Sequence, residues 1–115
     1  MRNKKIYGLI GKDIDYSFSR KYFLEKFKKE RFNHYDYLNF DLERVELIDE
    51  ILTNNKLNGL NVTTPYKEKI IPFLDELSPV AKEIGSVNTI CFVESKKIGY
   101  NTDIYGFDKT LSALN

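Results

Sequence analysis

The chain has 115 residues, of which 42% are hydrophobic and 30% charged, with 18 Lys and Arg against 17 Asp and Glu for a net charge of +1. This length suits one domain that buries about two-thirds of its unfolded surface, and the near-neutral balance gives no reason to expect a nucleic acid or an anionic membrane as partner. The lone Cys91 excludes a disulfide framework, no apolar run approaches the ~18 residues of a membrane span, and the N-terminus lacks a signal-peptide hydrophobic region, so the expected location is cytoplasmic.

Lys5-Ile6-Tyr7-Gly8-Leu9-Ile10-Gly11 reads as a first strand, apolar on both faces, which suggests a central parallel strand covered by helices. Ser17-Phe18-Ser19-Arg20 then opens a helix whose Phe23, Leu24 and Phe27 form an apolar stripe. One serine is enough for an N-cap; the second hydroxyl, beside the free N–H groups of a helix start, would make a receptor for a carboxylate, the plain alternative being a cap plus a spare serine. His34 to Phe40 reads as a second strand with His34 at its edge, and Glu43 to Thr53 as an amphipathic helix burying Val45, Ile48, Ile51 and Leu52.

A third strand leads into Asn61-Val62-Thr63-Thr64-Pro65-Tyr66-Lys67-Glu68. Thr64 followed by Pro65 predicts a helix start in the cap-then-proline manner. Lys67 would then stand at N3, where a capping box takes Glu or Gln and where the helix dipole opposes a cation. A local rule broken without compensation marks a place for function. That helix would carry Ile70, Ile71 and Leu74, with Pro72 kinking or ending it.

Ser78-Pro79 predicts a short helix closed by Gly85. Ser86 to Val93 and Lys97 to Tyr100 predict a hairpin joined by Glu94-Ser95-Lys96. Asn101-Thr102-Asp103 would cap a last helix carrying Ile104, Phe107, Leu111 and Leu114. The expected fold is an α/β three-layer sandwich with a mostly parallel sheet plus a C-terminal antiparallel hairpin.

In such sheets a ligand lies beyond the C-terminal strand ends. Four polar clusters fall there or at helix starts: Ser17 with Ser19, Asn61 with Thr63 and Lys67, Asn88, and Asn101 with Asp103. Hydroxyls, amides, one cation and one anion suit a small polyhydroxy acid. Zinc pairs, a Walker lysine loop and a G-x-G-x-x-G among the six glycines are all missing from the sequence. Cys91, inside an apolar run with a single His in the chain, reads as an inert buried thiol.

Gly11 with Ser17-Phe18-Ser19, the octapeptide Asn61 to Glu68, Gly85-Ser86-Val87-Asn88-Thr89 and Asn101-Thr102-Asp103 together resemble the N-terminal, substrate-binding domain of the shikimate dehydrogenases, in that family's order and across essentially the whole chain. Two departures stand out: Arg20 replaces the family's usual Pro, and Thr64 stands where Val is common. The resemblance implies reversible NADPH-dependent reduction of 3-dehydroshikimate to shikimate, a step of aromatic amino-acid biosynthesis. By the same resemblance Ser17 and Ser19 would bind the substrate carboxylate. Thr63, Asn88 and Asn101 would bond its hydroxyls or shape the site, with Asn61 in support, and Lys67 and Asp103 would form the catalytic pair. Residues 1–115 would be the substrate-binding catalytic domain of a monomer or homodimer. NADP(H) would be held by a dinucleotide-binding domain absent from this chain, leaving the fragment a weak binder without activity. The alternatives are a quinate/shikimate enzyme, a non-catalytic binder of small acids, and a flavodoxin-like signalling domain. The last would place acids after the first strand, where Gly11-Lys12 stands here.

Overall fold

The computed structural model describes residues 5–14, 18–31, 34–54 and 56–102, leaving aside the side chains of residues 18, 19 and 54. Its strands are β1 Lys5–Gly11, β2 Tyr35–Asp41, β3 Gly59–Val62, β4 Glu76–Leu77, β5 Thr89–Val93 and β6 Lys96–Tyr100; its helices are α1 Phe18–Lys29, α2 Ile48–Asn54 and α3 Pro79–Ile84. The strands form one sheet in the order β2-β1-β3-β5-β6-β4. Among the described residues, β1 runs parallel to β2 and β3, and β4 to β6, while β5 is antiparallel to both β3 and β6. A mostly parallel sheet with an added hairpin is what the sequence led us to expect.

Both faces of β1 are buried, as its two-sided apolar pattern requires. Tyr7 and Leu9 join Phe23 and Phe27 of α1 and Tyr35 and Tyr37 of β2 in one aromatic layer. Phe23 stacks on Tyr37 with ring centroids 4.8 Å apart. The alternate residue Ile10 enters a second core with Leu60, Val62, Ile90, Ile48 of α2 and Ala81 of α3. A one-residue slip of β1 would exchange the two layers, so the side-chain pattern fixes the register. Truncating Phe23, fully buried, to alanine would cost about 3–5 kcal/mol.

The short helix α3 follows its punctuation. Ser78 Oγ accepts the Ala81 N–H at 3.2 Å, Pro79 occupies the first turn, and Gly85 closes the helix at φ 74°, a left-handed conformation suited to glycine. Glu94 and Ser95, at φ 50° and 68°, make the hairpin turn, since positive φ at both central residues matches the strand twist. The predicted helix over 43–53 begins instead as a 3-10 turn at Val45–Leu47 before α2. The last predicted helix lies outside the described residues.

Two elements depart from expectation. The first is β4, two residues paired parallel to β6, too short to show any alternation. The second is the stretch after Thr64, where the sequence predicts an α-helix. Residues 63–70 form turns, and only Ile71–Phe73 follow as a 3-10 helix. The Thr64–Pro65 bond is cis. In a helix the Lys67 carbonyl would receive the N–H of Ile71; here it accepts Val87 N–H at 2.8 Å, and Ile71 N–H turns to Glu68. Pro72, without an N–H, cannot resume the ladder.

Candidate functional site

Because β5 runs against β3 and β6, its start lies beside their ends. The exits of β1, β3 and β6 and the entry to β5 thus gather at one end of the sheet, joined by a chain of hydrogen bonds. Thr63 N–H donates to Ile10 C=O at 2.8 Å, Val62 N–H to Asn88 C=O at 2.7 Å, Val87 N–H to Lys67 C=O at 2.8 Å, and Asn88 N–H to Tyr100 C=O at 3.0 Å. The Asn101 side chain adds a bond to Ser86 C=O at 3.0 Å. Thr63 with Lys67, Asn88 and Asn101 therefore stand on three adjoining segments, drawn from separate parts of the sequence.

Each polar side chain has its own surroundings. Asn61, half-buried on the α1 side of β3, donates through Nδ2 to the Tyr37 hydroxyl at 2.8 Å. Thr63 is half-buried, and its methyl closes on Gly11: a Cβ built there would lie 2.5 Å from Thr63 Cγ2 and 2.6 Å from Ile14 Cγ2. Asn88 grips Thr102, accepting its N–H through Oδ1 at 2.7 Å and donating through Nδ2 to its carbonyl. Lys67 is exposed, on a cavity of about 240 Å³ lined by Thr64, Pro65, Lys67, Glu68, Lys69 and Ser86. Asn61, Thr63, Asn88 and Asn101 do not line that cavity. Ser17, the Ser19 side chain and Asp103 lie outside the described residues. A wider groove of about 740 Å³ runs along β4 and β6 past Leu74, Leu77 and Tyr100, and holds none of the polar residues singled out from sequence.

Contrary to the expectation from sequence, no α-helix starts at Lys67 and no helix dipole acts on it, since turns and a 3-10 helix stand there. What holds this loop instead is Tyr66, buried at 2% exposure, whose hydroxyl donates to Leu42 C=O. Burial raises the Tyr66 pKa, with Asp41 and other acids adding to it, so the phenol stays a donor. Three partners escaped the sequence reading. Tyr37 falls inside the predicted second strand, and Thr102 inside the predicted cap of the last helix. Asp41, whose carboxylate takes the backbone N–H groups of Asp13 and Ile14, lies one residue past the predicted second strand and carries no local signal of that role.

Cys91 is buried and its thiol pKa is pushed up to about 11 by desolvation, which suits an inert core residue. The turn after β1, where a dinucleotide-binding unit places its pyrophosphate, does not fit a nucleotide here. Methyls of Thr63 and Ile14 crowd Gly11, and the amides of Asp13 and Ile14 already serve the Asp41 carboxylate. This end of the sheet instead offers side-chain amides, a hydroxyl and the exposed Lys67 to a small polar molecule.

The family model of the shikimate dehydrogenase substrate binding domain matches residues 9–90. A shikimate dehydrogenase (NADP(+)) of Clostridium botulinum strain Loch Maree is 40% identical over 109 residues, 94% of this chain and 42% of that protein. The crystal structure of shikimate dehydrogenase from Aquifex aeolicus superposes with a TM-score of 0.80 at 40% identity, covering 99% of this chain and 44% of that one. Shikimate 5-dehydrogenase from Listeria monocytogenes, solved in complex with shikimate and NAD, gives a TM-score of 0.80 at 31% identity over 96% of this chain and 39% of that one. The chain thus spans less than half the length of these relatives. Family match, relatives and fold agree: the chain belongs to the shikimate dehydrogenase substrate-binding domain family.

Proposed function

We propose that this chain binds shikimate and 3-dehydroshikimate and carries the proton-transfer side of an NADP-dependent shikimate dehydrogenase, acting in the cytoplasm. The observation that supports it best is the gathering of the loops that carry Thr63, Lys67, Asn88 and Asn101 at the sheet end where β1 also exits. The nicotinamide dinucleotide would be held by the part of the protein that corresponds to the relatives' remaining length, and it supplies the reducing equivalent when bound.

Reduction of a ketone leaves negative charge on its oxygen, which a positioned cation stabilises and a proton then neutralises. Lys67 does both as an ammonium, and in the reverse direction its neutral amine accepts the hydroxyl proton. Asp103, two residues beyond Asn101 in the sequence, would be the second member of the catalytic pair and orient Lys67, the role the family resemblance gives it. Ser17 and Ser19 would bind the substrate carboxylate through their hydroxyls, while Thr63, Asn88 and Asn101 meet its hydroxyls or keep the site in shape, with Asn61 in support.

An NMR titration of the chain with shikimate at millimolar concentration tests the reading. The expected result is movement of the Ser17, Ser19 and Asn88 amide signals. Silence at those amides contradicts it, and an equal response to quinate redirects it to the broader quinate/shikimate specificity.

A further inference from the structure

We propose that Asp41 is a positioning residue for substrate binding that holds the loop after β1 against the loop carrying Lys67; the inference rests on the function proposed above. Asp41 ends β2, and its carboxylate reaches across to the loop after β1. Oδ1 accepts Asp13 N–H at 2.9 Å and Oδ2 accepts Ile14 N–H at 3.2 Å. Asp13 sits at φ 57°, a left-handed conformation that Asp tolerates and that turns consecutive amides toward a single anion. Ile14, 5% exposed, is pinned in the aromatic layer beneath α1. The loop is therefore fixed at backbone and side chain immediately before the serine segment.

The same corner reaches the lysine loop. Leu42 N–H donates to Gly11 C=O at 2.8 Å, and Leu42 C=O receives the hydroxyl of Tyr66, the neighbour of Lys67. Asp41 and Leu42 thus tie the loop leading to Ser17 to the loop carrying Lys67, two segments more than 40 residues apart in sequence. Asp41 is exposed, so its replacement perturbs this tie without opening a hole in the core.

The test compares the wild-type chain with Asp41→Ala and Asp41→Asn, using shikimate titration, hydrogen exchange at the Asp13 and Ile14 amides, and thermal melting. Asp41→Ala is expected to speed exchange at those two amides and weaken shikimate about tenfold, the worth of one charge-assisted bond, with the melting temperature little changed. Asp41→Asn, which keeps one carbonyl acceptor, recovers part of the affinity. Wild-type affinity in Asp41→Ala overturns the positioning role alone. So does an affinity loss that follows the melting temperature and not the two amides. If the wild-type chain itself does not respond to shikimate, the proposed function falls and this inference with it.

Discussion

Asn88 and Thr102 are joined through both of their polar ends: the Thr102 N–H donates to Asn88 Oδ1 at 2.7 Å, and Asn88 Nδ2 donates to the Thr102 carbonyl. The side chain before β5 thereby fixes the backbone that follows β6, one residue ahead of Asp103. A substrate hydroxyl reaching Asn88 would meet an amide already held rigid, the kind of support a binding group needs.

Replacing Asn88 by Ala removes both bonds, and with them the bond that the buried Thr89 hydroxyl donates to Oδ1 at 3.1 Å, leaving two part-buried backbone groups without this partner. The expected destabilisation is about 1–3 kcal/mol, read from the urea midpoint at an unchanged slope. A midpoint within error of the wild type would show that the clamp does not hold the end of β6.

Gly11→Ala should be harmful for a different reason. Its Cβ would fall 2.5 Å from Thr63 Cγ2 and 2.6 Å from Ile14 Cγ2, forcing apart the two loops that flank the site. Overpacking of this kind costs about 1–3 kcal/mol, and a combined fall in melting temperature and shikimate affinity is expected. Gly11→Ala with wild-type melting and affinity would mean that the close approach is unimportant.

The edge of the sheet carries a pH signature. The Asp75 carboxylate accepts the Lys97 N–H at 2.7 Å, Asp75 N–H donates to Lys97 C=O at 2.8 Å, and Lys97 Nζ lies 3.4 Å away. The Asp75 pKa is lowered from its ordinary 3.8, first by that backbone N–H and then by the Lys97 charge. A depressed folded-state pKa contributes stability that is present above the unfolded value and lost as pH falls through the folded one. Exchange protection of the Lys97 amide should therefore hold at neutral pH and decline below about pH 3.8, and Asp75→Asn should abolish that decline. Identical acid profiles for the two proteins would remove the assignment.

Much of this architecture is readable in the residues. Tyr7, Leu9 and Ile10 declare a two-sided strand, Ser78-Pro79 and Gly85 bracket α3, and Glu94-Ser95 turns the hairpin. The signals agree there because the elements satisfy their own backbone bonds. They fail after Thr64, where a sound cap-then-proline signature is overridden by tertiary partners: Val87 takes the Lys67 carbonyl, Leu42 takes the Tyr66 hydroxyl, and Pro72 cannot extend a ladder. That Thr63, Asn88 and Asn101 stand beside strand ends was legible in the sequence. Their supports, Tyr37, Asp41 and Thr102, were not, because a bond across 28 residues between Asp41 and Asp13 leaves no local pattern.

The most direct test of the central claim separates binding from proton transfer. It uses a dehydrogenase that joins this chain to the portion of its relatives lying beyond the matched stretch. Lys67→Met, at an exposed position where stability should move by no more than about 0.5 kcal/mol, is expected to lower kcat by roughly 10²–10⁴ with KM little changed. Ser17→Ala is expected to raise KM for shikimate and leave kcat near its starting value. Full turnover in Lys67→Met, or the same loss of kcat from both substitutions, would contradict the account.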